Sequence, residues 1–388
     1  MTYRLIPGTL ILFLWSAMFL PISTGAQTPE AVAGRPGDLL RAEPLPTLGD
    51  HPMWRILYVS TDLSGEPIPV TGIIAVPGTD PGPDGVPLLA VGHPTSGVGR
   101  QCAPSLILYD GSSQMASLYR DTLVPYLDAG FAIVMPDYQG LGAAGDPSYL
   151  IGTVEGANIL DSIRAARVFD EVELTDDTLL SGHSQGGHAV AFAVQMAPLY
   201  APDLSISGAV LAAPALDPRG IFDDLLQRDV ASADTSLILF VLSSWDASYG
   251  DLSLNQITTP LGRDLIETSI RDACLIQAGL AAGEQSPSQL LLSGVPAEWD
   301  ARVAENTPDP ARWKLPALFV HGDADEVISP SMTGAFVDAA CTSDAPVKLL
   351  LVPGADHFGV LAAAEQEMLS WLIDRTFESP SQGPCGLN

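Results

Sequence analysis

The segment Gly182-His183-Ser184-Gln185-Gly186-Gly187 constrains this chain more than any other stretch. A short apolar run, residues 178–180, leads into it, and a helix-like run, residues 188–196, follows it. A serine placed between glycines at a strand-to-helix junction marks a turn too tight for bulky flanking side chains. Such a turn lifts the Ser184 hydroxyl clear of a sheet and aims the next helix's N-terminus at the same point. The pattern is short, and the chain holds 36 glycines, so an ordinary surface turn would read the same way. Taken alone it marks a candidate nucleophile, and its partners have to be sought elsewhere in the chain.

The 388 residues are 47% hydrophobic, ample for a sizeable core and one or two domains. At the start, Arg4, an apolar run over residues 10–20 and the small residues Thr24-Gly25-Ala26 predict a signal peptide over residues 1–26. The run is too short for a membrane span, so no stable membrane anchor is expected. The remaining residues, 27–388, are expected to form the folded part of a secreted protein, extracellular or periplasmic. Acidic residues outnumber basic ones 46 to 17, for a formal net charge of −29. Such a surface repels nucleic acid and anionic membranes and favours a neutral or cationic substrate.

Four cysteines, Cys102, Cys274, Cys341 and Cys385, form an even set in an exported chain, which predicts two disulfides. Three connectivities are possible. By position, Cys341 and Cys385 would tie down the C-terminal region, leaving Cys102 for Cys274; buried free thiols are the alternative. None lies in a C-x-x-C pair or near paired histidines, so no metal site is expected.

Short apolar runs at residues 55–60, 70–76, 87–91, 131–135, 178–181, 209–213, 316–320 and 348–352 are bounded by Gly, Pro and Asp. They read as strands buried on both faces, with helical stretches between them, residues 155–169 being the clearest. This alternation predicts an α/β fold with a mostly parallel sheet flanked by helices. A hairpin-like linker, residues 62–66, gives the sheet an antiparallel start, and residues 27–50 read as an N-terminal arm. About a hundred residues between strands 209–213 and 316–320 break the rhythm, far more than a loop needs. Helical patterns at 221–228, 261–282 and 288–292 predict an inserted helical cap, at about 216–310.

A serine hydroxyl needs a base, and the base needs a carboxylate to set its tautomer. Of six histidines, His357 lies just after the last strand, where it can reach over the sheet's edge to Ser184. His51 sits in the arm, His183 and His188 flank the serine but point elsewhere, and His93 lies in a loop of its own. His321 ends a strand and reads as a packed residue. The carboxylate is sought in His321-Gly322-Asp323-Ala324-Asp325-Glu326, where Asp325 is preferred over Asp323 and Glu326. Asp356 reads as a turn residue. The order Ser184, Asp325, His357 is that of α/β-hydrolases and differs from the chymotrypsin and subtilisin orders. An oxyanion needs two aimed N–H donors. Gln185 supplies one, and the loop Gly92-His93-Pro94-Thr95-Ser96-Gly97 the other, with Thr95 preferred and Ser96 next. No metal or organic cofactor is called for.

The chain resembles the secretory lipases, which include fungal lipase A and actinobacterial exported lipases. The residues that carry this are His93-Pro94-Thr95-Ser96-Gly97, Cys102-Ala103-Pro104-Ser105 and Pro136-Asp137-Tyr138-Gln139-Gly140-Leu141-Gly142, together with the Ser184, Asp325 and His357 segments. The resemblance implies an α/β-hydrolase fold and hydrolysis of a neutral ester or lipid. It also implies a cap with an acyl-binding tunnel, the pairs Cys102–Cys274 and Cys341–Cys385, and Thr95 as an oxyanion donor. Pro94 stands where many relatives have glycine, and His183 where an aromatic residue is frequent. The rival readings are an exported peptidase or acyltransferase on the same fold, and a non-catalytic binding protein.

Overall fold

A computed structural model describes residues 32–79, 85–110, 113–377 and 385–387. The expected signal peptide lies outside them. Among the described residues, ten strands form one sheet: β1 (Leu39–Leu48), β2 (His51–Thr61), β3 (Pro67–Ala75), β4 (Val86–Gly92), β5 (Ala132–Pro136), β6 (Leu174–His183), β7 (Ser205–Ala212), β8 (Ala317–Gly322), β9 (Val347–Val352) and β10 (Gly386–Leu387). Their spatial order is β1-β2-β3-β5-β4-β6-β7-β8-β9-β10. The first three pair antiparallel, as does β3 with β5, and all later pairs are parallel.

The short apolar runs form strands because both their faces are covered. In β4, Leu88 and Ala90 face one helical layer and Leu89 and Val91 the other. Helices Gly152–Arg167 and Gln185–Tyr200 supply Ile159, Ile163, Val190 and Val194 on the first side. Helices Gln114–Asp128 and Glu365–Phe377 supply Leu123, Leu127, Met368 and Leu372 on the second. The expected arm differs from what the structure contains. Residues 39–48 of it are β1, an edge strand whose residues are mostly exposed and which carries Pro44 and Pro46. Edge pairing tolerates proline and needs no apolar alternation, so the usual strand signal is missing.

Between β7 and β8 the chain forms a run of helices with its own core, including Ile238, Leu242, Trp245, Ile266 and Trp299. Its most buried helix, Thr235–Ser248, carries an unbroken apolar run over residues 237–242 in place of a helical stripe, which hid it in the sequence. The stretch expected as one helix over 261–282 is broken into Pro260–Leu265, Ile266–Ile270 and Leu275–Ala282.

Two disulfides join Cys102 to Cys274 and Cys341 to Cys385. The first, spanning 172 residues, pins the inserted helices to the loop after β4. The same junction carries backbone bonds from Val98 to Ala273 (3.0 Å) and from Leu275 to Ser96 (2.9 Å). Chain entropy gives this crosslink about 5 kcal/mol as an upper bound. A Cys102→Ser/Cys274→Ser protein is therefore expected to unfold at distinctly lower urea, and an unchanged midpoint would contradict this.

Candidate active site

Because β4, β6, β7, β8 and β9 run parallel, their following loops converge on one edge of the sheet. Ser184 follows β6, and Asp325 and His357 follow β8 and β9. The turn at Ser184 has φ 56° and ψ −118°, a strained conformation for a non-glycine residue. Its glycines are sterically required. A Cβ on Gly186 would lie 1.9 Å from the Gly92 carbonyl oxygen, and one on Gly182 would lie 2.3 Å from the Gly186 oxygen.

The Ser184 hydroxyl lies 3.0 Å from His357 Nε2, and His357 Nδ1 lies 2.7 Å from Asp325 Oδ2. All three side chains are buried. Asp325 Oδ1 accepts the amides of Val327 and Ile328, both at 2.9 Å. Burial opposes the Asp325 charge, but hydrogen bonds from His321, His357 and the Ile328 amide outweigh it and hold the carboxyl well below the usual range.

The competing acids are placed elsewhere. Asp323 accepts the Gly354 amide at 2.6 Å, Glu326 is exposed, and Asp356 accepts the Gly359 amide at 2.7 Å in a turn. His51 bonds Asp128 and the Gly78 amide, and His93 stacks on Tyr138. His183 donates to the His357 carbonyl oxygen at 2.8 Å; burial above all, with His357 beside it, pushes its pKa down to about 3 and keeps it neutral.

One contact escaped the sequence reading. His321 packs as expected, but its Nε2 also lies 3.0 Å from Asp325 Oδ2 and 3.0 Å from the Ile328 carbonyl oxygen. One carboxylate oxygen thus faces two histidines. The four-residue spacing of His321 and Asp325 was visible in the sequence, but the loop's return toward the strand was not.

A cavity of about 360 Å³ opens over Ser184, Thr95, Gln185 and His357, walled by Leu225, Ile238 and Val241 among other apolar side chains. Among the described residues, the backbone amides of Thr95 and Gln185 have no hydrogen-bond acceptor. Ser96 is buried outside the cavity lining, its carbonyl accepting the Leu275 amide. No group of His, Cys, Asp and Glu among the described residues is arranged to hold a metal ion, and none of their helices is long and apolar enough to cross a membrane.

Comparison with known proteins bears out the resemblance. The family model for secretory lipases matches residues 113–278. A "Probable inactive lipase MT1628" of Mycobacterium tuberculosis is 28% identical over 344 residues, covering 84% of this chain and 74% of that protein. The "Secreted triacylglycerol lipase LIP4" of Malassezia furfur is 34% identical over 125 residues, 31% of this chain and only 23% of that protein. In structure, lipase A of Candida antarctica in its closed state superposes with TM-score 0.78 at 20% identity, over 90% of this chain and 84% of that one. The fold is that of the α/β-hydrolases, as the sequence implied.

Proposed function

We infer, for a chain that resembles the secretory lipases in sequence and in fold, that it is an exported carboxylic ester hydrolase working through Ser184, His357 and Asp325. Ser184 Oγ attacks the ester carbonyl carbon while His357 Nε2 takes its proton. Asp325 holds His357 with its Nδ1 proton in place and stabilises the cation that forms. The amides of Gln185 and Thr95 receive the oxyanion, assisted by the N-terminus of helix Gln185–Tyr200. His357 then protonates the departing alcohol, leaving Ser184 acylated. Water, deprotonated by His357, attacks the acyl-enzyme; the acyl–Oγ bond breaks as His357 returns the proton to Ser184 Oγ, and the acid is freed.

The helices of residues 216–310 act as a cap, and the apolar cavity beneath them takes the acyl group of a neutral ester. The net charge of −29 disfavours anionic substrates and surfaces. The observation that carries the reading is the hydrogen-bonded chain of 3.0 Å and 2.7 Å from Ser184 through His357 to Asp325, whose first two members line that cavity. One relative is named as a probable inactive lipase; in this chain Ser184 bonds His357 and His357 bonds Asp325.

An alkyl fluorophosphonate reacts fast only with an activated serine. It is expected to label the folded protein stoichiometrically, and peptide mass spectrometry should place the adduct on Ser184. A folded protein that stays unlabelled, or carries the label on another serine, would refute this assignment.

A further inference from the structure

We propose that Tyr149 and Glu155, on one short segment, are positioning residues that hold the two oxyanion-donating residues in register. The proposal rests on the ester-hydrolase reading above. Thr95 and Gln185 belong to separate elements, the loop after β4 and the start of the helix after β6. Their amides must nevertheless converge on one oxygen, and a misplacement of about 1 Å can reduce rate on the order of 10²-fold.

The segment entering helix Gly152–Arg167 reaches both. The Tyr149 hydroxyl lies 2.9 Å from Thr95 Oγ1. Glu155, fully buried, accepts from Gln185 Nε2 at 2.6 Å and from the Leu150 amide at 3.0 Å. Leu150 sits at φ +54°, a conformation a leucine keeps only when its surroundings enforce it. The bond from its amide to Glu155 supplies part of that enforcement.

The inserted helices brace the segment from its other side. Trp245 Nε1 donates to the Tyr149 carbonyl oxygen at 3.1 Å, and the Gly152 amide donates to Asn306 Oδ1 at 2.9 Å. The Asn306 carbonyl oxygen accepts from His188 Nε2 at 2.8 Å, while His188 Nδ1 faces Glu155 Oε2 at 3.6 Å. Burial pushes the Glu155 carboxyl above its usual range, against the nearby His188 and the hydrogen bonds from Gln185 and Leu150. Glu155 Oε2 and His188 Nδ1 are buried without a hydrogen-bond partner among the described residues and face each other, His188 lying on the helix that carries Gln185. Neither Tyr149 nor Glu155 touches the reacting atoms; each acts through its neighbour's side chain.

The test compares kcat and KM on a p-nitrophenyl ester with affinity for an alkylboronic acid, whose tetrahedral adduct places an oxygen in the hole. Tyr149→Phe and Thr95→Val should each lower kcat about 10-fold with KM within about twofold, and the double variant should lose no more than either alone. Glu155→Ala should lower kcat on the order of 10- to 100-fold, while Glu155→Gln, which keeps an acceptor for Gln185, should return to within a few-fold of the parent protein. Boronate affinity should fall in step with kcat. Wild-type kcat in Tyr149→Phe, additive losses in the double variant, or lost kcat with unchanged boronate affinity would overturn the proposal. Should Glu155→Ala fail to fold, the Tyr149–Thr95 pair decides alone. An active Ser184→Ala protein would instead sink the ester-hydrolase reading, whereas an inactive one beside fully active Tyr149→Phe and Glu155→Ala would sink only the positioning role.

Discussion

Ser184→Ala is expected to lower p-nitrophenyl ester turnover by on the order of 10⁴–10⁶ while leaving the protein folded. The serine's side chain makes one hydrogen bond, to His357, and the turn's geometry is imposed by the close approach of Gly182 and Gly186. Alanine accepts the same backbone with no new atom to place. What disappears is the hydroxyl that bonds His357 and lines the same cavity as Gln185 and Thr95. Residual activity would come from those amides and from binding in the cavity, which act without a nucleophile. A folded Ser184→Ala protein with near-normal turnover would require a different nucleophile and end the present reading.

Asp325→Asn should lower kcat by on the order of 10⁴, with little change in the other dimensions of the site. The aspartate receives four donors: two backbone amides on Oδ1, and His357 and His321 on Oδ2. An asparagine offers one acceptor oxygen. If that oxygen stays with the Val327 and Ile328 amides, the NH₂ group faces His357 and drives its proton to Nε2, where it blocks acceptance from Ser184. Exposed neighbours give the control: Asp323→Asn and Glu326→Gln should stay within about twofold of the parent protein. A comparable loss in either would reassign the acid. Stability follows the same group. The Asp325 pKa is lowered in the folded state, so its contribution is full above the unfolded value of about 3.9 and is lost progressively as pH falls from there through the lowered folded value. Asp325→Asn should therefore be less stable than the parent at pH 7, with the gap narrowing in strong acid, as urea unfolding at several pH values would read out.

The sheet was legible where burial on two faces leaves a mark in the chain. The runs that became β4, β5 and β8 are continuously apolar and bounded by turn residues. It was not legible in β1, whose prolines and exposed residues are allowed only because its outer edge pairs with nothing in the sheet. The inserted helices were visible mainly as a gap. Helix Thr235–Ser248 is buried around most of its circumference over residues 235–245, so it carries no periodic stripe to read.

The site divides in the same way. The glycines around Ser184 and the placement of Asp325 and His357 after strands are local facts, because a tight turn and a parallel sheet constrain residue type and order directly. The sequence by itself therefore determined the α/β architecture, the candidate nucleophile and the two loops from which its partners would come. Only the tertiary structure decided that Asp325 is shared by His321 and His357, and that Tyr149 and Glu155 reach Thr95 and Gln185. It also decided that the Cys102–Cys274 bridge ties the inserted helices to the loop bearing Thr95. These contacts join elements far apart in the chain. Each polar group took the partner that packing brought within about 3 Å, a distance no local pattern encodes.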